Sequence, residues 1–483
     1  MLRIIFLVIT LSFFHQVSAQ KYWHLKSPDQ DKIYGAGVGM AYQLLNNRPS
    51  QPVTVAIIDI GVDVHHQDLK DIIWTNSKEV SGNNVDDDEN GYVDDTHGWN
   101  FLGGNDGNIM YEATEETRLY QRYKRLFWGV DSIALSNDEK KELARFRKLQ
   151  QDYNKAQQSR IIDAKSSTQV YEMNKKLHWK ILFRLLIGKG AGHQIRLARE
   201  LNEYGVVHNF LDADSLRRII VGDDPENNFE RNYGNNDVIG PDASHGTHAA
   251  GIVASCLNSS RSNIRIMALR AVPWGDERDK DIANAIRYAV DNGASIISMS
   301  FGKNLSPNKF IVDSAVKYAL QKDVLFVHAA GNDSKNTDTV FYYPGFRLLN
   351  GATASNWIEV GASGKIGGGR LVAGFSNFGK NTVDLFAPGV KIYSTLPGNK
   401  HGYESGTSMA APLVAGVAAI IRSYFPELNA MQVKELLMNT VTICEQNDIP
   451  RSPTNLCVSG GIINAEKAVS EMLNREEGYS QTH

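Results

Sequence analysis

A nucleophile, a base for it and a carboxylate to hold that base stand out in this 483-residue chain. Ser408 lies in Gly406-Thr407-Ser408-Met409-Ala410-Ala411-Pro412, just ahead of the apolar run 413–421. His245 opens His245-Gly246-Thr247-His248, which leads into the small apolar residues 249–253. Asp59 closes the apolar run 53–58 and is followed by Ile60 and Gly61. A serine hydroxyl is a weak nucleophile until a base takes its proton, and a neutral imidazole suits that task near pH 7. A buried carboxylate would fix the imidazole tautomer and stabilise the imidazolium. His245 and Ser408 both fall in expected helix N-terminal regions, where free N–H groups and the positive helix end favour negative charge on a nearby oxygen. For Ser408 that charge would be the developing oxyanion of an acyl transfer.

The elements that must bring these residues together are legible as well. Residues 53–58, 264–272, 294–299, 324–329 and 383–386 are apolar, β-rich runs closed by Gly, Pro or polar residues, as expected of strands buried on both faces. Between them, Ile282, Ala283, Ile286, Ala289 and Val290 form one helical stripe, and Phe310, Ile311, Ala315, Ala319 and Leu320 a second. Alternating strands and helices predict an α/β fold, a doubly wound and mostly parallel sheet covered on both sides. Ligands then belong beyond the carboxyl ends of the strands. Asp59, Ser300-Phe301-Gly302 and Gly331-Asn332 all sit there. The order breaks at 108–232, a lysine-, arginine- and glutamate-rich stretch with helix-like patches at 111–127, 138–159 and 170–186, read as a helical insertion.

Composition narrows the class. A hydrophobic share of 42%, a charged share of 22% and a formal charge of -3 fit a globular chain and give no sign of a nucleic-acid partner. Arg3, the apolar run 4–14 and Val17-Ser18-Ala19 have the order of an export signal, with cleavage expected after Ala19. That run is shorter than the roughly 20 residues a bilayer span requires, so no stable membrane span is expected after cleavage. Of three cysteines, Cys256 follows an apolar helical run and is expected to pack as a small hydrophobe. Cys444 and Cys457 lie in a loop-like stretch, and a local disulfide or two free thiols both fit.

With these residues in view, the chain resembles the subtilisin-like serine proteases. Asp59-Ile60-Gly61, the His245 block and the Ser408 block occur in the family's order, and the resemblance covers about 23–104 and 233–468. It implies a subtilisin-like three-layer sandwich and hydrolysis of protein or peptide substrates by an Asp59/His245/Ser408 triad. Matching by position, Asn332 in Ala329-Ala330-Gly331-Asn332 takes the role of side-chain oxyanion donor. Ser300, Phe301 and Gly302 take that of the edge strand that pairs with an extended substrate, and Ala330 and Gly331 line the same cleft. Ile60 departs from the small hydroxyl residue usual there, and His245 stands 186 residues after Asp59, far more than usual. The family's inhibitory propeptide has no long counterpart between Ala19 and Trp23, so the chain is expected either to fold unaided or to use another segment, for which the insertion is the candidate.

One acidic loop stands apart from this chemistry. Asp86, Asp88, Asn90, Gly91, Tyr92 and Asp94 follow most of an Asp-x-Asp-x-Asn-Gly pattern for calcium, with His97 at position twelve in place of glutamate. A structural calcium site is expected there, and no cofactor is required for the chemistry. The expected organisation is a signal peptide at 1–19, a first catalytic part at 20–107, the insertion at 108–232, a second catalytic part at 233–474 and a polar tail at 475–483. The rival functional reading is a catalytically silent or autoinhibited peptide-binding protein of the same fold.

Overall fold

The computed structural model describes residues 21–46, 48–130, 135–165, 213–258, 263–365, 371–444 and 452–480. The expected signal peptide and the helix-like patch at 170–186 lie outside them.

Nine strands form the central sheet. In chain order they are β1 (Val53–Asp59), β2 (Gly98–Asn100), β3 (Ile264–Arg270), β4 (Ile296–Met299), β5 (Leu325–Ala329), β6 (Trp357–Ser363) and β7 (Leu385–Pro388), with β10 (Thr442–Ile443) and β11 (Gly461–Ile462) near the C-terminus. The intervening β8 (Ile392–Leu396) and β9 (Lys400–Glu404) pair separately as an antiparallel hairpin. The sheet order is β10-β11-β7-β6-β5-β4-β1-β3-β2, parallel throughout except for β10 against β11. Strand β6 was not among the expected runs. Its Glu359 and Gly361 interrupt the apolar pattern, yet all seven of its residues are buried.

Side chains alternate between two cores, as the two-residue period of a strand requires. Val53, Val55 and Ile57 of β1 enter one core, while Ala56 and Ile58 enter the other. The first core is covered by α5 (Ser244–Ser255), α8 (Thr407–Tyr424), α9 (Ala430–Asn439) and α10 (Ala465–Ser480), with the short α1 (Val38–Leu44) against α10. The second is covered by α6 (Asp279–Asp291) and α7 (Lys309–Gln321). The result is the expected doubly wound, three-layer sandwich. In the predicted second stripe Phe310 turns outward, and Ile311, Val312, Ala315, Val316 and Ala319 form the buried face of α7.

Between β2 and α5 the chain adds α2 (Glu115–Phe127), α3 (Asn137–Lys165) and α4 (Ala213–Ile220). Helices α2 and α3 share a small cluster of Tyr120, Leu143 and Phe146, whereas Ile109, Leu216, Ile220 and Val221 join the second core. Of the cysteines, Cys444 and Cys457 are buried free thiols, so the disulfide alternative is not realised. Cys256 is fully buried between α5 and α8.

Helix α8 is long and apolar enough to cross a bilayer, but it is a core helix, packed along β1, β4, β5, β6 and β7 and 89% buried. Its neighbour α5 comes close because Gly416 offers no side chain: a Cβ there would lie 2.7 Å from Cys256 Sγ and 2.8 Å from Cys256 Cβ. Gly416→Ala should therefore destabilise the protein by about 1–3 kcal/mol through overpacking. Adding Cys256→Ala should restore part of that loss, because the sulfur is removed and the Cβ contact remains. Denaturant titration of the two variants checks both signs.

Candidate active site

Asp59 is the last residue of β1, and its neighbour across β4 is set by the register Ile58↔Met299. Asp59 and Ser300 therefore emerge side by side from adjacent strands, spaced about 4.8 Å apart. His245 is brought in by the first turn of α5. Its Nδ1 donates to both Asp59 oxygens, at 2.8 and 3.0 Å, and Asp59 is 2% exposed. The Ile60 N–H supplies Asp59 with a further bond at 2.7 Å. The Ile60 side chain points into the second core, so the carboxylate keeps its support without a hydroxyl neighbour.

Two glycines permit the approach. A Cβ on Gly246 would lie 2.1 Å from the Gly61 carbonyl, and one on Gly61, at φ 144°, would lie 2.2 Å from the Ile239 carbonyl. Gly251 plays the same part further along α5, where Ser394 and Thr395 of β8 donate their hydroxyls to the carbonyls of His248 and Thr247. Buried Arg270, aligned with Asp59 in β3, fastens the turn after Asp59 by donating to the Ile60 and Ile109 carbonyls and to Asn100 Oδ1.

Ser408 is the second residue of α8. Pro412 has no N–H for the Ser408 carbonyl four residues earlier, and the Ser300 hydroxyl satisfies that carbonyl at 3.0 Å. The bond is reciprocated, since Ser408 Oγ donates to the Ser300 carbonyl at 3.2 Å, its one partner among the described residues. Asn332 is oriented by Thr407, whose N–H and hydroxyl both donate to Asn332 Oδ1, at 2.9 and 3.1 Å. An N–H can only donate, so the bonded atom is the amide oxygen and the NH2 faces away. A Cβ on Gly406 would lie 3.4 Å from Asn332 Nδ2 and 3.6 Å from Ser408 N. Two donors thus flank one point beside the serine.

The cleft residues divide by what their backbones are free to do. Gly302 is exposed, and its N–H and C=O have no partner among the described residues. The Phe301 carbonyl is held by His328 Nε2 at 2.8 Å, while Nδ1 of the same ring meets Glu359 at 3.0 Å. Ala330 and Gly331 are already saturated: Ala330 by Val360 and Asn377, Gly331 by Thr407 and Asn377. They offer a wall and no ladder of hydrogen bonds. Sequence reasoning missed Thr407, Asn377 and the linking role of His328. Only Thr407 had a signal, its place beside Ser408.

Burial acts against the imidazolium of His245, but the charge and hydrogen bond of Asp59, with Glu404 and Asp242 further off, outweigh it and raise the group to about 9. The ring is still 25% exposed, leaving an edge open to the cleft.

The acidic loop differs from the expected ligand set. Asp94 accepts from the N–H groups of Gly82, Asn83 and Asn84. Asn90 Oδ1 accepts from the Tyr92 N–H, and the Tyr92 ring packs against Trp99 and Tyr288. His97 Nδ1 meets the Trp74 carbonyl. The oxygens that do converge, all within 4.8 Å of one another, belong to Asp86, Asp88 and Glu79, the last outside the sequence motif.

A doubly wound sheet with an Asp-bound histidine and a helix-borne serine at neighbouring strand ends is the arrangement of serine hydrolases. The chain belongs to the Subtilase family, whose model matches residues 50–480. It is 41% identical over 186 residues to the thermophilic serine proteinase of Bacillus sp. (strain AK1), covering 37% of this chain and 42% of that protein. It is 34% identical over 205 residues to subtilisin DY of Bacillus licheniformis, covering 41% of this chain and 70% of that one. With the major intracellular serine protease of Bacillus subtilis (strain 168) it shares 37% over 221 residues, 44% of this chain and 65% of that one. The chain thus spans under half the length of the first relative and about two thirds of the other two.

A base must be neutral to accept a proton, so a raised His245 pKa moves the acid limb of kcat/KM to higher pH. Glu404→Gln removes one of the charges that raise it. The limb should move down by about half a pH unit or more, read from a kcat/KM–pH profile.

Proposed function

We propose that this chain is a serine endopeptidase that hydrolyses peptide bonds through an acyl-enzyme on Ser408. The observation that carries the reading is the doubly bonded Asp59–His245 pair one strand from the Ser300–Ser408 contact. An extended peptide would pair with the open backbone of Gly302, beyond the carboxyl end of β4. The Ser408 hydroxyl then turns its proton from the Ser300 carbonyl toward His245 Nε2. Ser408 Oγ passes its proton to His245 Nε2 as it attacks, while Asp59 holds Nδ1–H and stabilises the imidazolium. The oxyanion would fall between the Ser408 N–H and Asn332 Nδ2, which lie 3.6 and 3.4 Å from a Cβ built on Gly406. In such sites one donor contributes about 3–4 kcal/mol, a magnitude measured on a subtilisin. His245 returns its proton to the leaving amine, and water then repeats the sequence in reverse to free Ser408.

The order of residues 1–19 supports export, so the proposed substrates are proteins or peptides outside the cytoplasm. A structural calcium ion belongs to the same proposal, held by Glu79, Asp86 and Asp88. Backbone N–H groups of the loop already donate to all three carboxylates, and their remaining hard oxygen donors suit calcium. The ion would stabilise the loop and take no part in the chemistry.

Labelling with a fluorophosphonate should modify the wild-type chain and be lost in Ser408→Ala. Labelling that survives the substitution removes Ser408 from its role, and a folded wild type that never labels favours a silent binding protein. Separately, a calcium chelator should lower the melting temperature by several degrees. A calorimetric trace unmoved by chelator and by added calcium removes the ion from the proposal.

A further inference from the structure

The 108–232 segment is rooted beside the open backbone of Gly302 by charged groups taken out of water. Lys303, the next residue, has a side chain 1% exposed, and its Nζ meets Glu115 Oε2 at 2.9 Å, Asp279 Oδ1 at 2.9 Å and the Glu277 carbonyl at 2.7 Å. Its backbone exchanges both hydrogen bonds with Tyr343, at 2.8 and 2.9 Å. Glu115 begins α2 and is held in turn by Arg118 at 2.6 Å. The other attachments converge on the same short stretch. Arg278 binds Glu112 at 3.0 Å and Asp214 at 2.7 Å, Arg217 binds Asp281 at 2.7 Å, and Lys280 binds Asp223 at 2.5 Å. The core partners in these ion pairs are Lys303 and residues of 278–281, and Asp276 accepts from the Glu115 N–H at 2.8 Å. Met110 and Glu112 also exchange backbone bonds with Trp274.

Burying so many ions is costly, and apolar packing would hold a merely tolerated loop as well or better. What paired ions add is a fixed position. We propose that Glu115 is a positioning residue for the substrate strand: through Lys303 it holds Gly302 in register for an extended peptide, so that α2 braces the stretch that pairs with substrate. This rests on the peptidase reading, in which Gly302 pairs with substrate.

The test compares Glu115→Ala and Glu115→Gln with wild type in the full chain, using an extended hexapeptide, a single-residue ester and fluorophosphonate labelling. Loss of the carboxylate should raise KM for the hexapeptide roughly tenfold, with ester turnover and labelling falling far less. Glu115→Gln keeps an acceptor for Lys303 and should lie between. If Glu115→Ala yields no folded protein, Glu115→Gln decides by the same readouts. An unchanged hexapeptide KM, or a parallel fall in all three, overturns the proposal. A wild type that never labels counts instead against the peptidase reading.

Discussion

The contact on which the site depends is the approach of α5 to the end of β1. Two polar elements, a strand terminus and a helix N-terminus, meet there with no side chain between them. Gly246 and Gly61 leave room for backbone alone, and the gap so closed equals one hydrogen bond from His245 to Asp59. A methyl group on Gly246 would push α5 off the strand, and one on Gly61 would displace the 238–239 backbone ahead of α5. The same device recurs at Gly251 and Gly416, so α5 is seated against the hairpin and α8 by missing side chains on two further faces. His245 is placed by packing density more than by its own bonds.

Much of this was legible in the sequence, for a physical reason. Strands buried on both faces must be apolar throughout, and helices covering them must carry one apolar stripe, so the sheet core and α6 declare themselves. The failures are as instructive. Strand β6 hides because Glu359 lies in its middle, buried against His328 from the neighbouring strand, a pairing that no local pattern reveals. The buried charges of Lys303, Arg217 and Arg270 had no local signal, because Glu115, Asp281 and the Ile60 carbonyl that hold them lie far away in sequence. The loop at 86–94 shows the limit of motif reading. Asp94 accepts from backbone N–H groups of 82–84, and Glu79, from outside the pattern, comes within 4.8 Å of Asp86 and Asp88. Thr407 and Asn377 act through atoms that become neighbours only once β5 and α8 are in place.

The serine end of the site shows how one helix defect serves several groups. Pro412 costs α8 a hydrogen bond, and the freed Ser408 carbonyl is taken by the Ser300 hydroxyl. That bond ties the nucleophile to the strand proposed to hold the substrate. Thr407, one residue earlier, ties the same turn to Asn332 and Gly331. Nucleophile, donor amide and cleft wall are therefore one rigid unit mounted on the helix that fills the first core.

Mounting the serine on α8 has a consequence for the life of the chain. The helix that carries Ser408 is also the one over which β1 and β4 to β7 close, and it follows Asp59 and His245 in the chain. A nascent chain that has released Asp59 and His245 has neither the third group nor the apolar body that would bring the first two into a settled fold. Contacts of such long sequence separation form slowly. Completion of the site is thus coupled to closure of the sheet: Asp59, His245 and Ser408 share one end of it only once α8 has packed along its strands.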